Sequence, residues 1–244
     1  MSKIFIYELK RLIFNKLFLV ILIVTCLYSY MILSREIIMG IAFTAPFSPW
    51  SFAYYLANIM PLLMITLLFF VTFMYSNHEK KVRQLTFATP VDLFIFGLVK
   101  CASMMAGFFI VLVFVIILGM AFFIIIFRFY GFVNFILPII LVVIPCLLFF
   151  LGAGLLLGGL QHNILYVLMI VALLFTFLPF PVFLDLYGAR LFSTQPLTLP
   201  VGLDGEPSFS LPDSFIMGRF SFCTVGFLMV LLGLKRYKKG IIKE

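Results

Sequence analysis

Charged side chains are scarce in this 244-residue sequence, where Asp, Glu, Lys and Arg together make up 11% of the residues. Hydrophobic residues make up 65%, and the mean hydropathy of +1.27 lies outside the usual range of soluble domains. No charged residue occurs between Phe129 and Leu184, and residues 108–127 contain no hydrogen-bonding side chain. A helix of about 20 such residues spans the core of a bilayer. The sequence therefore predicts an integral membrane protein.

Histidine and cysteine are also rare, with two and four residues. His78 and His162 are too few ligands for a zinc or iron site. The cysteines lie within or beside apolar runs and include no close pair, as expected for small buried hydrophobic residues. They are Cys26, Cys101, Cys146 and Cys223. We expect no metal site in this chain.

Catalytic patterns are missing as well. The tract from Gly152 to Gly159 has no Lys-Ser or Lys-Thr after it, so it does not match a phosphate-binding loop. The apolar runs offer no Ser/His, Asp/Asp or His/Glu set. We therefore expect no intrinsic catalytic site and no cofactor in this chain. Gly154 and Gly158 instead form a small-xxx-small pair that favours close helix packing, within the subunit or across a dimer.

Continuous apolar runs, broken by polar segments, predict an all-α protein with a single transmembrane domain over residues 1–244. A closed barrel is disfavoured because the runs do not alternate apolar with polar residues. Six spans are predicted, near Leu17–Leu33, Phe52–Tyr75, Val99–Phe127, Phe135–Leu157, Ile164–Leu184 and Phe215–Leu234.

The cations predict the orientation of these spans. With six spans, 13 of the 17 Lys and Arg residues fall on one side, and Arg35, Arg128, Arg190 and Arg219 fall on the other. The positive-inside rule places the first side, with both termini, in the cytoplasm. We predict a multi-pass protein of the cell membrane. The formal net charge of +8 is then an orientation signal, and nucleic-acid binding is not needed to explain it.

The segment from Lys3 to Lys16, before the first span, predicts an amphipathic helix in the inner headgroup layer, in contact with membrane lipids. The alternative is that it is the frayed start of that span. One face carries the apolar residues Phe5, Ile6, Leu9, Leu12 and Ile13. The other face carries Lys3, Tyr7, Glu8, Lys10, Arg11 and Asn15.

Ion-coupled transport needs ionisable groups at membrane depth, and the central parts of the spans contain none. Asp185 and Arg219 lie at the outer ends of the fifth and sixth spans. There we expect an interfacial position or a mutual ion pair. Any active transport must therefore take its energy from a cytoplasmic partner.

A polar segment from Tyr75 to Lys100 separates the second and third spans. Ser76 with Glu79, and Thr89 with Asp92, have the spacing of capping boxes, and Pro90 suits a first helical position. The pattern predicts a cytoplasmic helix over residues 76–88, followed by a break and a second helix. The alternative is a solvated loop whose lysines only fix the topology.

The predicted helix has the side chains of a docking element. Val82, Leu85 and Phe87 offer apolar anchors, and Lys80, Lys81 and Arg83 offer cations. Glu79 can cap its own helix or accept a hydrogen bond from an Arg of a partner protein. Charge complementarity of this kind sets the choice and orientation of a partner more than its affinity.

The arrangement resembles the membrane subunit of a type-2 ABC exporter. The residues that match its cytoplasmic helix after the second span are Glu79, Arg83, Leu85, Thr89 and Pro90, followed by Phe94 and residues 97–100. The resemblance implies that residues 76–88 are a coupling helix docked on a separate P-loop ATPase subunit, which holds ATP and Mg. It also implies a second permease copy or a related permease subunit. The short, uncharged connection at Gly159 to Asn163 departs from the family and leaves room for only a slight second ATPase contact.

Residues 185–214 form the long segment predicted on the outer side. Leu191, Phe192, Leu197, Leu199 and Val201 predict that it folds back onto the spans or the outer leaflet, and the resemblance implies a short re-entrant helical element. A proline-stiffened linker is the alternative.

The expected function is export of a hydrophobic or amphipathic substrate, such as a peptide, an antibiotic or a lipid-like molecule. By analogy, the chain is similar to bacteriocin, lantibiotic or peptide-antibiotic export and immunity permeases. A non-transport scaffold, a sensor partner or a passive channel component is the competing interpretation.

Overall fold

The computed structural model of the protein describes residues 2–76, 93–202 and 206–242, and within these ranges the fold is all-α, as predicted. One isolated antiparallel bridge joins Val201 and Pro207. The described α-helices are α1 (Ser2–Ile13), α2 (Lys16–Ile32), α3 (Pro49–Met74), α4 (Leu93–Phe127), α5 (Ile136–Gly158), α6 (Ile164–Phe177), α7 (Ala189–Thr194) and α8 (Asp213–Ile242). A π-helical turn at Leu33–Ile37 extends α2, and 3-10 turns occur at Phe132–Phe135 and Gln195–Thr198.

Five helical stretches in the described ranges are long and apolar enough to cross a membrane, which indicates a membrane-embedded protein. They are Lys16–Ile37, Pro49–Met74, Phe94–Phe127, Phe132–Gly158 and Asp213–Tyr237. They correspond to five of the six predicted spans.

The remaining predicted span, Ile164–Leu184, is helical only as far as Phe177. Helix α6 has 14 residues, and at 1.5 Å per residue it is about 21 Å long, shorter than the hydrocarbon core of about 30 Å. It ends there because Leu178 adopts an extended conformation before Pro179, a residue that disfavours a helical predecessor. A count of six spans stays a prediction.

Helix α3 lies at the centre of the bundle. Within its most apolar window 72% of the residues are buried, against 22% to 56% for the other four candidate spans. Tyr55 links three helices at this centre, because its hydroxyl lies 2.5 Å from the Ser29 hydroxyl of α2 and donates to the Val115 carbonyl of α4 at 2.9 Å. Such interhelical hydrogen bonds stabilise helix packing where water is absent.

Helices α5 and α8 form the most extensive helix–helix contact and approach each other through glycines. A Cβ atom added to Gly226 would lie 2.6 Å from the Leu148 carbonyl carbon, and one added to Gly233 would lie 2.8 Å from Leu155 Cβ. A Cβ on Gly152 would meet the carbonyl oxygen of Gly226. Small residues are thus required where the two backbones meet.

The pair singled out from the sequence, Gly154 and Gly158, faces α3 of the same chain. A Cβ on Gly154 would lie 3.1 Å from Leu68 Cδ2, and one on Gly158 would lie 2.6 Å from Tyr75 Cε2. These two glycines therefore serve packing within the subunit. The glycines of α8 that meet α5 were not predicted, although Gly226 and Gly233 are seven residues apart and share a helix face.

Candidate functional site at the α1 end of the bundle

The predicted docking residues lie within residues 77–92, which are outside the ranges that the structure describes. This applies to Glu79, Lys80, Lys81, Val82, Arg83, Leu85 and Phe87, to Thr89 and Pro90, and to the helix predicted over residues 76–88. The structure describes both flanks of this segment, Tyr75 after α3 and Leu93 at the start of α4. We call this end of the bundle the α1 end and the opposite end, with α7, the α7 end.

The first flank is fixed by Tyr75, which is 8% exposed. Its hydroxyl donates to the Leu155 carbonyl of α5 at 2.7 Å. Its ring packs edge-on against Tyr237 of α8, with ring centroids 6.3 Å apart, and Gly158 leaves the space that the ring needs. The end of α3 is thereby tied to α5 and α8.

The second flank carries a buried cation, Lys100, whose side chain is 3% exposed. Its Nζ lies 3.8 Å from Glu8 Oε1 on α1 and 4.8 Å from the centre of the Phe96 ring. The other oxygen of Glu8, Oε2, lies 3.3 Å from Arg11 Nη2. A carboxylate between two cations compensates the burial of charge, which would otherwise be costly.

Further contacts attach the start of α4 to its neighbours. The Ser103 hydroxyl donates to the Val99 carbonyl at 3.0 Å and lies 3.4 Å from the Phe5 carbonyl of α1. Gly97 faces α8, where an added Cβ would lie 3.2 Å from Leu234 Cδ2 and 3.3 Å from Tyr237 Cδ1. A displacement of the start of α4 would therefore act on both α1 and α8.

Helix α1 covers Ser2–Ile13, most of the segment from Lys3 to Lys16 for which the sequence predicts an amphipathic helix, but its buried and exposed faces differ from the predicted ones. Glu8, assigned to the polar face, is 8% exposed, and Ile6, assigned to the apolar face, is 51% exposed. The reason is the ion pair with Lys100, which turns the Glu8 side of α1 towards α4. Leu12, 5% exposed, lies one turn further along on the same side.

The α7 end holds Arg219, which is 4% exposed. Its Nη1 donates to the Leu186 carbonyl, and its guanidinium carbon lies 4.1 Å from the centre of the Phe215 ring. Within the described ranges it forms no ion pair, and its Nε and Nη2 have no hydrogen-bond partner. The Asp185 carboxylate instead accepts from the Gly188 amide at 2.8 Å. The expected ion pair with Asp185 is therefore wrong for Arg219, because the turn at residues 185–188 presents a backbone carbonyl to the guanidinium. The expected position at the membrane interface stays a prediction.

The chain after α6 folds back into the bundle at this end. The Tyr187 hydroxyl donates to the Ala172 carbonyl of α6 at 2.8 Å, and burial raises the pKa of that hydroxyl well above its usual value, so it stays protonated. Leu191 and Phe192 of α7 are buried, whereas Leu197 and Val201 are 55% and 69% exposed. Only part of the apolar set predicted to fold back is covered by the bundle.

The segment after α7 is attached to the start of α3. Trp50 Nε1 donates to the Pro207 carbonyl at 3.2 Å, and the Ala45 amide donates to Glu206 Oε1 at 3.1 Å. The Trp50 ring packs against Phe209, with centroids 4.7 Å apart. The α7 end is thus covered by a segment with several hydrogen-bonded attachments.

Among the described residues, no three His, Cys, Asp or Glu side chains are grouped so that they could hold a metal ion. The four cysteines are free, and Cys101 and Cys146 are buried. The Glu8–Lys100 pair was not predicted from the sequence. A signal was present, since Glu8 is the only acidic residue before Glu36 and it lies among four cations, Lys3, Lys10, Arg11 and Lys16.

Comparison of the chain with protein-family models, with curated proteins and with solved structures found no match.

Proposed function

We propose that this chain is the membrane subunit of an ATP-driven exporter, energised by a separate cytoplasmic P-loop ATPase that docks on residues 76–88. One observation carries the proposal: both flanks of that polar segment are fixed into the bundle by buried side chains. Tyr75 bonds to α5 and packs on α8, and Lys100 pairs with Glu8 of α1. Movement of a docked segment would therefore reach three helices besides α3 and α4.

The finer topology belongs to the same proposal. The chain would cross the cell membrane six times, with α6 and the residues up to Leu184 completing the fifth crossing, and both termini would be cytoplasmic. Helix α1 would lie in the inner headgroup layer. Two permease subunits, identical or related, would form the pathway with two ATPase subunits. This chain would contribute no catalytic residue, and ATP and Mg would bind the partner.

The cargo would be hydrophobic or amphipathic. In support, the central parts of the candidate spans contain no Asp, Glu, Lys, Arg or His, and Arg219 near the start of α8 is buried against Phe215 and the Leu186 carbonyl. A hydrophilic polymer or a free ion would require more polar partners at membrane depth.

The test is purification from mild detergent, followed by reconstitution with any ATPase that copurifies. We expect a P-loop ATPase in the complex, and we expect Glu79→Ala or Arg83→Ala to abolish substrate-stimulated ATP hydrolysis and export while membrane insertion is unchanged. Arg35→Ala and Glu36→Ala are the matched controls, since they remove the same residue types from exposed positions in the π-helical turn that extends α2. A homo-oligomer without ATPase, or docking variants that export normally, would contradict the proposal.

A further inference from the structure

We propose that the α1 end binds an anionic phospholipid, with the headgroup on the exposed face of α1 and one acyl chain in a groove between α2 and α3. The proposal goes beyond the export function and does not depend on it. Two separate surfaces carry it, a cationic helix face and an apolar groove that begins at Leu17, the residue after Lys16.

The exposed face of α1 combines cations with apolar and aromatic side chains. Lys3 and Lys10 are exposed, and between them Ile6 is 51% and Tyr7 is 65% exposed. Phe14, which directly follows α1, is 83% exposed. Helices that lie at a membrane surface have this composition, because the rings and aliphatic groups reach the acyl boundary while the ammonium groups stay among the headgroups.

Among the described residues, the charge of this face is positive only, because Glu8 is turned away from it. Glu8 is the sole acidic residue before Glu36, and it is buried between Lys100 and Arg11. The exposed charges that remain are Lys3 and Lys10, followed by Lys16 at the start of α2. Three lysines, with no exposed carboxylate beside them in the part of the chain that the structure describes, favour anionic over zwitterionic headgroups.

The groove between α2 and α3 has a volume of about 260 Å³ and begins at Leu17, next to Lys16. Its walls include Val20 and Val24 of α2 and Leu62 and Ile65 of α3. The two hydroxyls along it are satisfied within their own helices, since Thr25 donates to the Ile21 carbonyl at 2.7 Å and Thr66 to the Leu62 carbonyl at 2.9 Å. A hydrocarbon chain is therefore the complementary occupant.

The length of the groove favours one acyl chain over a helix from a second copy. From Leu17 to Thr25 it covers eight helical steps, or about 12 Å. Half of the hydrocarbon core is about 15 Å thick, so the groove matches a single leaflet. A transmembrane helix docked on α2 would need a complementary surface along its whole length.

The experiment is fluorescence quenching by brominated lipids in nanodiscs that contain the full-length protein. Val20→Trp places a reporter in the groove, and Val24→Trp is a second reporter in case the first variant does not fold. Val113→Trp on α4 is the control, since Val113 is 49% and Val20 55% exposed. Trp50, which is 1% exposed, gives the background in the unmodified protein.

We expect brominated phosphatidylglycerol to quench the groove reporter at a lower mole fraction than brominated phosphatidylcholine, by about fivefold for each lysine engaged. Lys3→Gln, Lys10→Gln and Lys16→Gln together should remove this preference, and the Val113→Trp control should not distinguish the two lipids.

Three outcomes would overturn the proposal: equal quenching by both lipids in the groove, a preference that survives the three glutamine substitutions, or a groove reporter that neither lipid reaches while the control is quenched. The last outcome would assign the groove to a second copy or to cargo. None of these measurements involves ATP hydrolysis, so failure here is distinguishable from failure of the export function.

Discussion

Two buried cations, Lys100 at the α1 end and Arg219 at the α7 end, are held in different ways. Both lie against a phenylalanine ring, with Lys100 Nζ 4.8 Å from the centre of Phe96 and the Arg219 guanidinium carbon 4.1 Å from the centre of Phe215. Lys100 has a carboxylate within 3.8 Å. Arg219 has no ion pair within the described ranges, and two of its nitrogen atoms have no acceptor.

The difference shows what each charge does for the fold. The Lys100–Glu8 pair joins α1 to α4, and each charge makes burial of the other tolerable. Arg219 instead holds the carbonyl of Leu186 and thereby the folded-back turn, with part of its desolvation left uncompensated. Removing one charge of the Lys100–Glu8 pair should therefore lower the free energy of unfolding strongly. Removing the charge of Arg219 should leave the free energy of unfolding nearly unchanged.

The largest effect is expected from Glu8→Gln, which leaves Lys100 buried without this carboxylate. We expect a loss of about 3 kcal/mol in the free energy of unfolding, as for other broken buried pairs. Chemical denaturation in mild detergent measures it. The matched control is the double variant Glu8→Gln with Lys100→Gln, which removes both charges and should recover most of the loss. A single variant as stable as the unmodified protein would show that the pair contributes nothing.

The spans were largely predictable, whereas the contacts between them were not. Residues 108–127 of α4 are apolar throughout, and length and hydrophobicity decide a membrane crossing without reference to any neighbour. The early end of α6 was missed because the apolar composition continues to Leu184, although Pro179 already marks the stop.

The candidate site was harder to predict because its partners are distant in the sequence or belong to the backbone. Glu8 and Lys100 come from different helices, and nothing in the sequence fixes the rotation of α1 that brings them together. Arg219 was expected near Asp185, but its acceptor is the Leu186 carbonyl, and backbone acceptors leave no sequence pattern. Helical periodicity shows which residues share a face, but not which helix that face contacts.

A smaller effect is expected from Gly188→Ala, which tests how rigidly the turn holds Arg219. Gly188 has a φ of +84°, and an added Cβ would lie 2.8 Å from both Arg219 Nη2 and Phe192 Cε2. Backbone strain of this kind costs about 1–3 kcal/mol, and we expect a loss of about 2 kcal/mol. Thermal unfolding in detergent measures the difference.

Gly107→Ala in α4 is the matched control for that substitution. Its added Cβ would lie 3.5 Å from Phe70, an ordinary van der Waals distance. The free energy of unfolding should therefore increase by about 0.5–1 kcal/mol, because a conformationally flexible residue is removed from the helix. If Gly188→Ala were equally harmless, the turn would have to be soft enough to move away from Arg219.

The smallest effect is expected from Arg219→Met, although the residue is nearly as buried as Lys100. The substitution removes the bond to the Leu186 carbonyl and the contact with Phe215, and it also removes a buried charge with two unpartnered nitrogen atoms. These terms oppose each other, so the free energy of unfolding should change by less than about 1 kcal/mol. Arg219→Lys keeps the charge but loses the planar guanidinium, so it should be less stable than Arg219→Met. A loss with Arg219→Met as large as that of Glu8→Gln would reveal a strong anionic partner for the guanidinium, and the contrast between the two ends would disappear.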